Sequence, residues 1–186
     1  EDGYKLVETP YLGMEHQSAV AYGNKYKKGY MGSDLSMTGV GLLFDYITIH
    51  ESGHEWFGNS ITSADISDMW IHEGFTQYTE IVYIECQFGY EKAMKYAKGL
   101  HRNVRNDRPI IGTCCVNHEG SGDMYPKGAL LLNTLRNVID NDTLWWEIIL
   151  KYSETFRHKI IDTPTVVAFF NKESKIDLTP IFNQYL

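Results

Sequence analysis

The sequence predicts a single α+β domain, predominantly helical, with a small N-terminal β-sheet portion followed by a helical body. Three observations predict it. Two short runs of β-tolerant residues, 5–9 and 17–22, open the chain and are joined by segment 10–16. From Val40 onward, apolar residues recur at helical spacing in segment after segment. No repeat, low-complexity tract or linker divides the 186 residues, a length that suits one ordinary domain.

The elements follow in order. Residues 23–39, GNKYKKGYMGSDLSMTG, show no period of 2 or 3.6 and read as a long surface loop. Its Lys25, Lys27 and Lys28 read as a solvated charge run rather than a phosphate site. Helices are expected over 42–57, with Gly58 and Asn59 as the stop, over 68–88, ending before Gly89, and over 90–104. Residues 105–121 carry Pro, Gly and Asn without periodicity and read as a loop. Three further helices are expected over 125–140, 143–156 and 164–173, where Pro126 and Pro164 fall in first turns that accept proline. Cys86 reads as a small core residue on the inner face of its helix, and Asn59 as a cap of its turn.

Composition narrows the function classes. With 43% hydrophobic and 22% charged residues the chain reads as globular, and 17 Lys plus Arg against 24 Asp plus Glu leave a net charge of −7. That excludes a basic nucleic-acid-binding surface. No apolar stretch approaches the ~20 residues of a membrane span, so a soluble protein is expected, whether cytoplasmic, periplasmic or secreted. The start at Glu1, without a secretion-signal pattern, reads as a processed or excised piece. The cysteines number 3, and adjacent Cys114 and Cys115 are poorly placed to bridge each other, so no disulfide framework is expected.

Residues 50–54, His-Glu-Ser-Gly-His, form HExxH in helical context. A spacing of four puts His50 and His54 on one face, where both can reach one ion. Imidazole nitrogens suit zinc, which in catalytic sites takes three protein ligands and keeps a fourth position open, and Glu51 then adjoins that position. HExxH alone arises by chance in roughly 2 of 100 chains of this composition. Glu73, 19 positions after His54 at the start of the next helix, supplies the third ligand and cuts that expectation to about 1 in 1000. Glu80, seven positions further along the same helix face, is placed to orient a zinc-bound histidine through its second ring nitrogen.

HESGHEWFGNSIT and WIHEGFTQYTE resemble the zinc helix and third-ligand helix of the aminopeptidase N family, the gluzincin aminopeptidases that include leukotriene hydrolase. LGMEHQSAVAYG resembles that family's exopeptidase motif and MYPKGALLL its tyrosine motif, with the motifs in the family's order. The chain departs from the pattern at Leu12, His16, His72, Ser52 and Gly53; the last is expected to cost ~1 kcal/mol inside a helix.

The resemblance implies a thermolysin-like zincin catalytic domain spanning 1–186, partial, without the family's flanking N-terminal β domain and C-terminal helical domain. It implies one Zn2+ held by His50, His54 and Glu73, with Glu51 as general base and Tyr125 as oxyanion stabiliser. Glu15 is implied as the anchor for a free α-amine, with Gly13, Met14 and Glu73 beside the substrate. The expected partners are peptides with a free N-terminus. A carboxylate at the cleft's end matches a terminal ammonium and leaves internal peptide segments uncompensated, which favours exopeptidase over gluzincin endopeptidase action. An inactive peptide-binding module that keeps only the fold is the other alternative; no catalytic residue has been lost to support it.

Overall fold

A computed structural model describes residues 3–186; Glu1, where the chain-start reading falls, lies outside the described residues. The N-terminal sheet has the order β1-β3-β2, with β1 (Leu6–Glu8) parallel and β2 (Gly13–Met14) antiparallel to the central β3 (Val20–Tyr22). The segment expected merely to join two strands thus supplies a third. Segment 23–39 is irregular as expected, and Lys25, Lys27 and Lys28 are exposed. Its buried Asn24 nonetheless fixes it, donating to the carbonyls of Lys27 and Gly29 and accepting from Met31 N–H.

Helix α1 (Tyr46–Gly53) is shorter than the expected 42–57. Asp45 sets its start. One carboxylate oxygen accepts the Thr48 N–H at 3.1 Å, an N-cap, and also Asn24 Nδ2 at 2.8 Å. The other accepts the hydroxyl of Tyr22 on β3, so the helix is tied to the sheet at its first turn. Gly53 ends the helix rather than interrupting it, and an added Cβ there would meet Thr79 Oγ1 at 2.5 Å. The expected penalty is therefore replaced by a packing requirement.

Strand β4 (Ile61–Ser63) leads through a 3-10 turn to α2 (Trp70–Phe88), which ends before Gly89 with φ 92. Helix α3 (Tyr90–Leu100) stops short of 104, and the last residues form a 3-10 turn. Helices α4 (Pro126–Ile139), α5 (Asp142–Thr155) and α6 (Thr163–Ser174) agree with expectation to within two residues. Strand β5 (Lys159–Ile161), which pairs in parallel with β4, and helix α7 (Thr179–Tyr185) were not expected. Both β4 and β5 are three residues long, too short for a period to emerge.

Helix α2 is central, with α1, α3 and α4 packed around it, and its Trp70, Ile71, Phe75, Ile81 and Ile84 are almost fully buried. Cys86 is exposed, contrary to expectation, because two residues after Ile84 the helix has turned about 200° away from the core. Cys114 and Cys115, not expected to bridge, are exposed neighbours in the 105–121 loop with their sulfurs in close contact. No helix among the described residues is long and apolar enough to cross a membrane.

Candidate metal centre and peptide site

One turn of α1 brings His50 and His54 to the same side, and α2, crossing it, brings Glu73 to both. His50 Nε2 and His54 Nε2 lie 3.3 Å apart, and Glu73 Oε2 is 3.4 Å from each. All three residues are buried. The outward ring nitrogens are committed elsewhere: His50 Nδ1 donates to Glu80 Oε1 at 2.9 Å, and His54 Nδ1 to the Phe57 carbonyl at 2.9 Å. In the neutral imidazoles both Nε2 atoms therefore present lone pairs, facing a carboxylate oxygen that has no hydrogen-bond partner of its own.

Three buried acceptors this close repel unless a positive charge lies among them. The titration behaviour says the same. Burial alone would lower the pKa of His50, but the hydrogen bonds and charges of Glu73 and Glu80 outweigh it and push the value up to about 10. Burial would raise that of Glu73, yet His50 and His54 hold its carboxyl well below the usual carboxylate range. Separations of 3.3–3.4 Å also match the edge of a tetrahedron whose centre lies ~2.0–2.1 Å from each corner, the bond length of zinc to imidazole. The donor set fits a single zinc ion.

Behind Glu80 and beside the histidines sit groups that spacing did not reveal. Glu80, fully buried, is held in turn by the Tyr96 hydroxyl at 2.6 Å. Tyr46 stacks on the His50 ring, centroids 5.3 Å apart, and Thr76 Oγ1 lies 3.1 Å from His54 Nδ1. Tyr96 and Thr76 come from other helices than the histidines, so no local pattern marks them. His72 is buried and accepts the Ser63 N–H on Nε2 at 2.8 Å, tying α2 to β4.

Tyr125 precedes Pro126, the first residue of α4, and its ring lies 6.0 Å from that of His50. Two glycines make this possible. A Cβ on Gly74 would meet Gly128 Cα at 2.9 Å, and one on Gly128 would meet Gly74 Cα at 2.7 Å, so α2 and α4 touch backbone to backbone one residue after Glu73. Burial first, then the charge of Glu73, pushes the Tyr125 phenol well above its usual pKa.

Glu51 is buried, and its pKa is raised to about 6, chiefly by burial, with Glu15 and Glu73 adding to the rise and the histidines opposing it. Its carboxylate abuts Gly13 on β2: a side chain at Gly13 would collide with it and with Ile47 Cγ2 at 2.9 Å. Glu15, just past β2, brings a carboxylate oxygen within 4.8 Å of Glu51 and of a His54 ring nitrogen. Met14 is half-exposed at the sheet's edge. Asn59, expected to cap its own turn, instead donates from Nδ2 to the Glu15 carbonyl at 2.8 Å. The turn after α1 is closed by backbone bonds, which frees that side chain.

A buried His-His-Glu triad carried by two packed helices, with a further glutamate beside it, makes a candidate metal centre. The chain belongs to the family described as the Peptidase family M1 domain, which matches residues 6–185. It is 29% identical over 123 residues to endoplasmic reticulum aminopeptidase 1 of Mus musculus, covering 61% of this chain and 13% of that protein. It is 23% identical over 156 residues to human aminopeptidase B, covering 73% of this chain and 24% of the other. The chain thus spans less than a quarter of these relatives. Its fold is similar to an M1 zinc metallopeptidase of Deinococcus radiodurans, a mutant bound to a Tyr-Ser-Ala substrate, with TM-score 0.76, 21% identity, 98% of this chain and 38% of that one. Yeast LTA4 hydrolase in complex with bestatin is also similar, with TM-score 0.73, 20% identity, 96% of this chain and 30% of that one.

Proposed function

We propose that the chain is the catalytic part of a zinc aminopeptidase that releases the N-terminal residue of peptides. The observation that carries the reading is the buried His50, His54 and Glu73 triad, its facing atoms 3.3–3.4 Å apart, with the Glu51 and Glu15 carboxylates within 4.8 Å of a His54 ring nitrogen. Zinc held by His50, His54 and Glu73 would polarise the scissile carbonyl and lower the pKa of water towards ~7.

The chain's own groups supply the rest. Glu51, with a pKa raised to about 6, accepts the proton of the attacking water on a carboxylate oxygen and returns it to the leaving amine. Tyr125, held protonated by its raised pKa, donates a hydrogen bond to the oxygen on which negative charge develops. Glu15 pairs with the substrate's terminal ammonium, and the second oxygen of Glu73 assists it. Gly13 and Met14 present a strand edge along which an extended peptide can lie. Glu80 orients His50.

Metal analysis of the purified protein, with turnover of an aminoacyl amide compared with its N-acetylated form, tests the reading. One zinc per chain and loss of turnover on acetylation are expected. Equal turnover of both substrates would favour the endopeptidase alternative, and bound peptide without turnover the inactive binding module.

A further inference from the structure

Residues 15–18 lie off the sheet ladder, between the end of β2 at Met14 and the start of β3 at Val20. Of these only Ser18 is reached from the β1 side, its carbonyl accepting the Lys5 N–H at 3.1 Å. Their backbone carries Glu15, whose carboxylate shares a few ångströms with Glu51, close to Glu73. Like charges this close repel, so a free turn would swing Glu15 out towards water. The turn is instead held at both ends. Asn59 Nδ2 donates to the Glu15 carbonyl at 2.8 Å, and the Ser18 N–H donates to Glu55 Oε1 at 2.8 Å. Ser18 adopts the left-handed region, φ 58, and Ala19 N–H closes the turn on the His16 carbonyl at 2.9 Å. Glu55 is buried, and Asn59 is itself anchored by its N–H to the His54 carbonyl at 2.9 Å.

We propose that Glu55 and Asn59 are positioning residues that clamp the 15–18 turn and so register the Glu15 carboxylate against the metal-binding end of α1. Both follow His54 within five residues, so one stretch of chain sets the metal donors and the bonds that place the amine anchor. A charged acceptor on the Ser18 N–H makes a stronger bond than a neutral one, which suits a turn held in a disfavoured backbone conformation. The inference rests on Glu15 being the amine anchor.

The test uses the full-length zinc-loaded protein with Glu55→Ala, Glu55→Gln, Asn59→Leu and Glu15→Gln. Hydrogen exchange across 12–22 reads the clamp directly, and kcat and KM on a free-amine aminoacyl amide read its purpose. Glu55→Ala and Asn59→Leu should speed exchange at residues 15–18 and raise KM ~10-fold, with kcat changed less than about threefold and zinc content unaltered. Glu55→Gln keeps an oxygen acceptor and should restore both readouts to within about threefold of the parent. Unchanged exchange and KM in Glu55→Ala and Asn59→Leu, while Glu15→Gln raises KM, would overturn the clamp. An unchanged KM in Glu15→Gln would instead overturn the amine-anchor reading, and the clamp's purpose with it, whatever the exchange shows.

Discussion

The two sides of the peptide site are built in opposite ways. The proposed metal side is helical: His50 lies on α1, His54 caps its C-terminus, and Glu73 and Glu80 lie on α2, all buried. The proposed substrate side is the edge of a three-stranded sheet whose β1 is exposed at every residue and whose Met14 is half-exposed. Donors that must converge to a few tenths of an ångström need neighbours that cannot move, and a close-packed interior provides them. A strand edge keeps unpaired backbone groups for a peptide to use and is held only where a few polar bonds reach it. Changes on the helical side should therefore act on metal binding, catalysis or stability, whereas changes at the edge should act on substrate alone.

The strongest way to break this comparison is at the base. Glu51→Gln keeps the donors and removes the proton acceptor, so kcat should fall ~10²–10⁴-fold at unchanged zinc content; elemental analysis beside steady-state kinetics checks both halves. Tyr125→Phe should lower kcat ~10²–10³-fold and leave KM nearly constant, because its bond strengthens only as charge develops. A rise confined to KM would remove it from the oxyanion role.

Two further variants sharpen the contrast within the helices. Glu80→Gln should weaken zinc affinity ~10–100-fold, measured by competition with a chelator, since His50 loses its charged orienting partner. Gly128→Ala places a Cβ 2.7 Å from Gly74 Cα, a backbone atom that cannot swing aside, so urea unfolding should show a loss of about 1–3 kcal/mol. On the sheet side, Val7→Thr changes a 47% exposed residue of β1 and should shift stability by less than about 0.5 kcal/mol with zinc affinity unchanged. A large loss there would show that the edge strand is as tightly coupled to the centre as the helices are.

The placement of His50 and His54 on one face was legible because a four-residue spacing is a property of helix geometry alone. So were the ends of α2 at Gly89 and the starts of α4 and α6 at their prolines, where a single residue's backbone preference decides. The start of α1 was not legible. Apolar residues run on into it from Leu42, and Asp45, which caps the helix at the Thr48 N–H, is held in place by Tyr22 and Asn24, more than twenty positions away. The inward reading of Cys86 failed because α2 buries a stripe, and which stripe depends on the helices packed around it.

By itself, then, the sequence determined the chemistry on offer: HExxH, the glutamate nineteen residues on, and a helical body after a small sheet, all carried by local spacing and residue type. Only the tertiary structure decided how that chemistry meets. It brings Glu73 within 3.4 Å of both histidines, sets Tyr125 beside His50 by pressing Gly74 against Gly128, and joins Asn59 to the Glu15 carbonyl across forty-four positions. The physical reason is range. Backbone dihedrals and helix periodicity act over a few residues, whereas the crossing of two helices and the pinning of a turn are settled by side chains, or their absence, on segments that the chain's order leaves far apart.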